Sequence, residues 1–248
     1  MIMRFIINGE KHKPNILLIH GMANTSTLFD PILPYLTDYC VIVCELDGHS
    51  ENENGTFISV STSCARIEEF IRHEFAGCLA GLLGFSLGGT IAVELISRGK
   101  IRVGKTILDA AFVTKLGRAA YPFKLLFQSS IWCLKMGIPV PKKLVESVMG
   151  KGNAGIMKTL YKGVSLRSVG NACMSCYTYD VKETIRNHKD PVVFWFGSNE
   201  PYPLKSAALL SQYLPQLEID IFPDMGHGQM LHEQPEEYGR RAAMYFNP

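Results

Sequence analysis

One serine in the first half of the chain has the surroundings expected of a nucleophile. Ser86 lies between Gly84 and Gly88, in the spacing G-x-S-x-G. An apolar run, residues 79–83, precedes it, and a helical pattern, residues 91–97, follows it. A sharp strand-to-helix turn holds a hydroxyl out at the edge of a sheet only if the residues two before and two after it are small. The pattern therefore predicts a nucleophilic serine, although so short a motif also occurs by chance in unrelated loops.

A serine hydroxyl is a weak nucleophile at neutral pH, so it needs a base, and the base needs a carboxylate partner. His227 follows a late apolar stretch in a Gly-His-Gly context, and Glu200 follows the apolar stretch before that one. We predict that Ser86, Glu200 and His227 meet at one edge of a sheet, in the chain order typical of such an arrangement. Asp109, which ends an earlier apolar stretch, is the alternative acid.

The elements that must position these side chains alternate along the chain. Continuous apolar runs are typical of parallel strands that are buried on both faces. We predict strands at residues 4–8, 16–19, 39–46, 79–86, 103–108, 192–196 and 217–222. Helical patterns cover residues 61–75, 90–98, 204–213 and 235–246. The alternation predicts the α/β class, with a doubly wound, mostly parallel sheet.

The middle of the chain has a different character. Residues 112–189 contain helical patterns broken by prolines and glycines and no run typical of a buried strand. We therefore predict a helical cap at 112–189, inserted into a core domain formed by residues 1–111 and 190–248. A helical extension that only packs on the core is the alternative. Residues 112–190 carry thirteen Lys and Arg against four Asp and Glu, which predicts either attraction of anions or a solvated basic surface.

Composition excludes several classes of function. The net charge of the 248-residue chain is only +2, so nothing indicates a nucleic-acid partner. No apolar run approaches the ~20 residues that span a bilayer, and the first ten residues lack a signal-peptide layout. Seven scattered cysteines do not suggest a disulfide framework, so we expect a cytoplasmic protein. Cys173 and Cys176 form one C-x-x-C without a second pair, and we predict no metal site there.

Taken together, the motifs resemble those of the α/β-hydrolase fold family. They are His-Gly-Met at residues 20–22, Gly-Phe-Ser-Leu-Gly at 84–88, Gly-Ser-Asn-Glu at 197–200 and Gly-His at 226–227. Their order matches the family's, and the resemblance covers nearly the whole chain except the predicted cap. One residue departs from the family's pattern, because the acid at position 200 is glutamate where aspartate is usual.

The resemblance also implies further site residues. The backbone N–H groups of Met22 and Leu87 would form the oxyanion hole, which stabilises negative charge on the reacting carbonyl oxygen. Asp109 stays in competition with Glu200, because some members of the family take their acid from that position and aspartate is the usual residue type. The turn at residues 47–50 resembles a shortened structural turn of the family, so His49 is expected to be a turn residue rather than a second base.

These observations predict an acyl-ester hydrolase that forms a covalent acyl-enzyme on Ser86 and needs no metal or organic cofactor. The predicted partner is a small-molecule acyl substrate, either an ester, a thioester, a lactone or a monoacylglycerol. A lyase or C–C bond hydrolase that uses the same three residues is one alternative. A binding protein that closes over a ligand without cleaving it is another. The oligomeric state is not predicted.

Overall fold

A seven-stranded sheet forms the centre of the computed structural model, which describes residues 3–50 and 55–247. Its strands are β1 (Arg4–Asn8), β2 (Asn15–Ile19), β3 (Cys40–Glu45), β4 (Cys78–Phe85), β5 (Arg102–Asp109), β6 (Val192–Gly197) and β7 (Leu217–Phe222). They lie in the order β1-β3-β2-β4-β5-β6-β7. Among the described residues, β1 pairs antiparallel to its neighbour and the other five strand pairs are parallel. The predicted fold class, a mostly parallel doubly wound sheet, is confirmed.

Helices follow most strands. They are α1 (Val60–Glu74), α2 (Leu87–Arg98), α3 (Ala120–Lys135), α4 (Lys142–Met149), α5 (Leu166–Tyr177), α6 (Pro203–Ser211), α7 (Gln229–Glu233) and α8 (Pro235–Phe246). The described residues also form 3₁₀ helices at Ser26–Tyr35, Gly117–Ala119, Ala154–Lys158 and Glu183–Asn187. Within the described part of the chain, β5 and β6 are connected by helices and loops alone.

The helices cover both faces of the sheet, because its central strands are apolar on both sides. On one face, Ile67 of α1, Ile91 of α2 and Leu210 of α6 pack into one buried cluster with the sheet. On the other face, Tyr238 of α8 and Phe29 of the 3₁₀ helix at Ser26–Tyr35 pack into a second cluster. Because the paired strands are mostly parallel, their carboxyl ends lie at a common edge of the sheet, where polar side chains can meet.

The segment between β5 and β6 packs at that edge. Ile131 of α3 and Val169 and Cys173 of α5 form a third buried cluster with Ala23, which belongs to the loop after β2. The helical content of the segment agrees with what its sequence pattern indicates. That residues 112–189 form a separate cap stays a prediction. The two ends of the predicted core domain, residues 1 and 248, lie outside the described residues.

Three differences from the sequence prediction, one helix start and two helices that were not predicted, each have a local reason. Helix α2 begins at Leu87 instead of residue 90, because Gly88 and Gly89 are poor helix formers that hide its first turn. The 3₁₀ helix at Ser26–Tyr35 contains Pro31 and Pro34, which are signals against a helix in the sequence. Helix α7 has only five residues, too few to show a periodic pattern.

Candidate active site

Ser86 lies in a sharp turn between β4 and α2, with backbone angles φ 55° and ψ −113°. A non-glycine residue in this region is strained by about 1–3 kcal/mol, so its surroundings must hold it there. A Cβ added to Gly84 would come within 2.3 Å of the Gly88 carbonyl oxygen, and one added to Gly88 within 2.0 Å of the Ile19 carbonyl oxygen. Both positions therefore require glycine. The Ser86 N–H donates to the Asp109 carbonyl oxygen at 2.8 Å, which ties the turn to β5.

The structure brings Ser86, His227 and Glu200 into one hydrogen-bonded chain. His227 Nε2 lies 2.9 Å from Ser86 Oγ, and His227 Nδ1 lies 2.7 Å from Glu200 Oε2. The second carboxylate oxygen of Glu200 accepts from the Gly197 N–H at 2.8 Å. This bond folds the glutamate back onto the end of its own strand, so that the longer side chain still reaches the imidazole. A carboxylate at Nδ1 favours the tautomer in which Nε2 can accept the serine proton.

The charges around His227 favour its protonated form. Burial opposes the charge, but the attraction of Glu200, its hydrogen bond and the more distant Asp109 together raise the pKa of His227 above its ordinary value of 6.5. An imidazole with a raised pKa is a better proton acceptor and holds a positive charge that forms during a reaction.

Asp109, the alternative acid, is buried at the end of β5 and accepts a hydrogen bond from the Tyr238 hydroxyl at 2.9 Å. Burial, together with repulsion from Glu200, raises the pKa of Asp109 to about 7, against the opposing effects of Tyr238 and His227. The carboxylate that contacts His227 Nδ1 in the structure is therefore Glu200, whereas the Asp109 carboxyl contacts Tyr238.

Met22 and Leu87 both line the pocket that contains Ser86. Leu87 is the first residue of α2, so its N–H has no acceptor within the helix. Burial, with the neighbouring His49 second, lowers the pKa of His20 to about 3, so its ring is neutral. Its Nε2 accepts from the Leu46 N–H at 3.1 Å, which leaves Nδ1 to donate to the Gly21 carbonyl oxygen at 2.8 Å. Because C=O and N–H point in opposite directions across a trans peptide, His20 fixes the direction of the Met22 N–H.

His49, expected to be a turn residue, is buried outside the walls of this pocket. Its Nδ1 contacts the Asp47 carbonyl oxygen at 3.0 Å, within its own turn. Burial lowers the pKa of His49 to about 4, so it carries no charge at neutral pH.

The rest of the pocket is apolar. Its empty volume is about 1010 Å³, including the part that is open to solvent. Aromatic rings make up much of the wall: Phe112, Phe123, Phe127, Tyr177 and Tyr202. The ring of Tyr177 lies edge-on to Phe112, with 4.7 Å between centroids, and Phe123 contacts Tyr202 in the same way at 5.9 Å. Thus aromatic contacts join α3 and α5 to the loop that carries Glu200.

Two cysteines also line the pocket, a position that the sequence did not reveal. Cys173 and Cys176 face it from α5, and burial raises the pKa of both thiols, that of Cys176 to about 12. They are therefore uncharged wall residues at neutral pH rather than nucleophiles. Within the described residues, no group of three or more His, Cys, Asp or Glu side chains is arranged to hold a metal ion.

A polar contact from the helical segment reaches the backbone of His227. The His227 N–H donates to the Met149 carbonyl oxygen at 2.7 Å. Asn153 is buried, and its side-chain amide donates to the His227 carbonyl oxygen at 2.7 Å and to that of Met149 at 3.1 Å. A Cβ added to Gly226 would come within 2.5 Å of the Met149 carbonyl oxygen. The turn at residues 149–153 therefore holds both backbone polar groups of His227, and we call this turn the histidine clamp.

The basic residues of the helical segment take no part in the pocket. Of the residues that line it within the described chain, none is Lys or Arg, and its charged or ionisable polar groups belong to Glu200, His227, Tyr177, Tyr202 and the two cysteines. Searched over the same described residues, the structure contains no helix long and apolar enough to cross a membrane.

Comparison with known proteins places these features in a family. The family model for the alpha/beta hydrolase family matches residues 16–241. A pimeloyl-[acyl-carrier protein] methyl ester esterase from Nitrosomonas europaea is 22% identical over 240 residues, which cover 91% of this chain and 92% of that protein.

Solved structures give the same answer for the fold. A protein from Desulfitobacterium hafniense assigned to the alpha/beta hydrolase family superposes with a TM-score of 0.87 at 26% identity, over 98% of this chain and 100% of that one. An enol-lactonase from Burkholderia xenovorans LB400 superposes with a TM-score of 0.78 at 13% identity, over 98% and 95% of the two chains. Because the family model spans nearly its whole length, this chain belongs to the alpha/beta hydrolase family.

Proposed function

We propose that this protein is a serine hydrolase that cleaves carboxylic esters through an acyl-enzyme on Ser86. The observation that carries the proposal is the hydrogen-bonded chain from Ser86 through His227 to Glu200 at the floor of an apolar pocket. In this proposal His227 is the general base, Glu200 is the acid that orients it, and the N–H groups of Met22 and Leu87 form the oxyanion hole.

The first half of the reaction forms the acyl-enzyme. Ser86 Oγ attacks the ester carbonyl carbon as its proton passes to His227 Nε2, 2.9 Å away. The carbonyl oxygen becomes an anion, which the N–H groups of Met22 and Leu87 stabilise; one such donor is worth about 3 kcal/mol in the transition state. The bond to the alcohol then breaks, His227 gives its proton to the leaving oxygen, and the acyl group stays on Ser86.

The second half releases the acid. His227 Nε2 takes a proton from a water molecule, which attacks the acyl carbon, and the same oxyanion site holds the second tetrahedral intermediate. When that intermediate collapses, the proton on His227 returns to Ser86 Oγ and the carboxylic acid leaves. Glu200 stabilises the imidazolium that forms twice in each cycle.

The walls of the pocket support an uncharged, apolar acyl or alcohol group as substrate, since such surfaces gain free energy by excluding water from one another. The esterase from Nitrosomonas europaea supports ester cleavage for this chain, although a thioester or lactone would react by the same steps. No disulfide joins the cysteines of the described residues, and this supports a reducing compartment such as the cytoplasm.

The proposal is tested with nitrophenyl esters of increasing acyl length and a fluorophosphonate probe, applied to the wild type, Ser86→Ala and Ser211→Ala. Ser211 is an exposed serine on α6 and serves as the matched control. We expect the wild type and Ser211→Ala to turn over esters and to take up the probe. Ser86→Ala should lose both, with kcat lower by about 10⁴-fold or more.

Equal turnover in Ser86→Ala and in the wild type would contradict the proposal. Probe labelling of Ser86 without turnover of any ester in the panel would leave the nucleophile in place but reject ester hydrolysis. A folded wild type that neither reacts with the probe nor cleaves an ester would instead indicate a binding protein.

A further inference from the structure

Helix α3 is apolar on two opposite faces. Its inner face, with Phe123, Phe127 and Ile131, lines the proposed active-site pocket. Its outer face exposes four large apolar side chains at helical spacing: Tyr121 (60% exposed), Leu125 (64%), Trp132 (48%) and Met136 (62%). An apolar face of a helix normally packs against other apolar groups. Here the inner face borders the pocket, and the outer face is open to solvent.

The exposed surface continues beyond the end of the helix. Ile138 and Leu144, in the turn after α3 and at the start of α4, are 44% and 39% exposed. We call the six residues together the outer apolar face: Tyr121, Leu125, Trp132, Met136, Ile138 and Leu144. Clustered apolar side chains of this size mark a surface that meets a partner, whereas single exposed apolar residues are ordinary.

The charges around the outer apolar face have one sign. Residues 110–145 contain six Lys and Arg and no Asp or Glu. Arg118, Lys135, Lys142 and Lys143 are exposed around the apolar residues, and the first acidic residue is Glu146, which pairs with Lys142 at 3.7 Å. An apolar centre containing Trp and Tyr, with lysines at its margin, matches the interface of an anionic bilayer, where aromatic rings lie at headgroup depth and cations meet lipid phosphates.

We propose that the outer apolar face docks this protein on an anionic lipid surface. The charges favour this occupant over a second copy of the chain, because a two-fold symmetric contact would place the same lysines opposite one another. They favour it over a nucleic acid too, since a phosphate backbone offers no apolar phase for Leu125, Trp132 and Met136.

An apolar groove lies between this surface and the proposed active site. The groove lies between α3 and α4, and Phe127, Ile131, Val148, Met149 and Leu160 line both it and the pocket. Its outer end is formed by Val140 and by Leu144 of the outer apolar face. In this proposal a lipid acyl chain takes this apolar route between bilayer and pocket. This part of the inference rests on the proposed function, whereas docking itself does not.

The test is the binding of the full chain to vesicles, measured by flotation, with no turnover required. We expect the wild type to bind vesicles of phosphatidylcholine with phosphatidylserine, to bind pure phosphatidylcholine much less, and to lose binding as salt is raised. The double variant Leu125→Glu/Trp132→Glu should bind about tenfold or more weakly, and Lys135→Glu/Lys143→Glu should weaken binding by a similar factor.

Two matched controls replace exposed residues elsewhere. Met244 of α8 is 78% exposed and Lys100 lies in an exposed turn, so Met244→Glu and Lys100→Glu should bind vesicles as the wild type does. Melting temperatures and fluorophosphonate labelling report whether each variant is folded. Retention of both in a variant that no longer binds vesicles separates the docking surface from the reaction.

Three results would overturn docking on lipid. The first is a wild type that does not bind anionic vesicles. The second is equal binding by the wild type and Leu125→Glu/Trp132→Glu. The third is binding to a duplex DNA fragment as tightly as to vesicles, or a concentration-dependent dimer that Leu125→Glu/Trp132→Glu abolishes, since these point to a polyanion or a second copy as the occupant.

Discussion

The two sides of the pocket differ in what they contribute. The sheet edge supplies the groups proposed for the chemistry, Ser86, His227 and Glu200, each directly after or close to the end of a strand. The helical segment supplies an apolar wall whose ionisable members, among the described residues, are Tyr177, Cys173 and Cys176, and none of them is a cation. The reaction and the choice of substrate therefore depend on different residues, because residues of the wall can change without moving the reacting groups.

The histidine clamp links the two sides of the pocket. Met149 and Asn153 belong to the helical side, yet they bind the backbone of a residue from the sheet side. A helical segment that only covered the pocket would not need such contacts. The clamp therefore couples the position of the imidazole to the placement of α4 and of the turn that follows it.

The largest effect on the sheet side, apart from loss of Ser86, should come from the acid. Glu200→Gln keeps the shape but removes the charge, so it no longer stabilises the imidazolium and favours the wrong tautomer of His227. We expect kcat to fall by about 10³–10⁴-fold with little change in KM. Steady-state kinetics on one nitrophenyl ester measure this.

Asp109→Asn is the matched control for Glu200→Gln. Its carboxylate contacts Tyr238 in the structure, so kcat should fall by less than about tenfold. The reverse ranking of the two variants would mean that the acid is Asp109 and that the sheet side has been assigned wrongly.

The sheet side could be predicted from sequence because its signals are local. Ser86 needs Gly84 and Gly88 within two residues, and His227 and Glu200 each follow a strand that is recognisable by its own apolar run. The parallel topology then brings strand ends to one edge without any knowledge of side-chain packing. Glu200 could be predicted as well, although glutamate is unusual at this position, since its contact with the Gly197 N–H lies within one short turn.

On the helical side, we expect Asn153→Ala to reduce kcat about tenfold, because it leaves the His227 carbonyl oxygen without a buried donor and frees the loop. The rate of fluorophosphonate labelling of Ser86 should fall in parallel, while KM stays near that of the wild type. Both measurements follow the positioning of His227 rather than substrate binding.

Asn171→Ala is the control for the clamp. Asn171 also ties the helical segment to the rest of the protein, through a hydrogen bond to the Phe57 carbonyl oxygen at 2.8 Å, but it does not contact His227. Its replacement should lower the melting temperature about as much as Asn153→Ala does and leave kcat unchanged. An equal loss of kcat in the two variants would reduce Asn153 to a purely structural role.

The helical side could not be predicted in this detail, because its contacts join residues that are distant in sequence. Asn153 and His227 are 74 residues apart, and nothing near Asn153 marks it as a partner of the histidine. Cys173 and Cys176 form a C-x-x-C pair in the sequence, yet their place in the pocket wall depends on which face of α5 meets the pocket. Which of the many apolar residues line that pocket depends on how α3 and α5 pack.

The smallest effect concerns pH. His227 must be neutral to accept the serine proton, so activity should fall as the pH drops through its raised pKa. Asp109 adds to that rise where it is ionised, above its own pKa of about 7, so Asp109→Asn should lower the pKa of His227 slightly and move the acidic limb of the kcat/KM profile to lower pH. An acidic limb that moves to higher pH, or that does not move, would show that Asp109 does not raise the pKa of His227.

The proposed mechanism depends on a covalent acyl-enzyme on Ser86. It is tested most directly by acid quenching during turnover of a nitrophenyl ester, followed by mass spectrometry of the intact chain and of its peptides. We predict an increase in mass equal to one acyl group, located on the peptide that contains Ser86, together with a burst of nitrophenol close to one equivalent per active chain. Turnover without any adduct, or an adduct on a cysteine such as Cys173 instead of Ser86, would contradict the account.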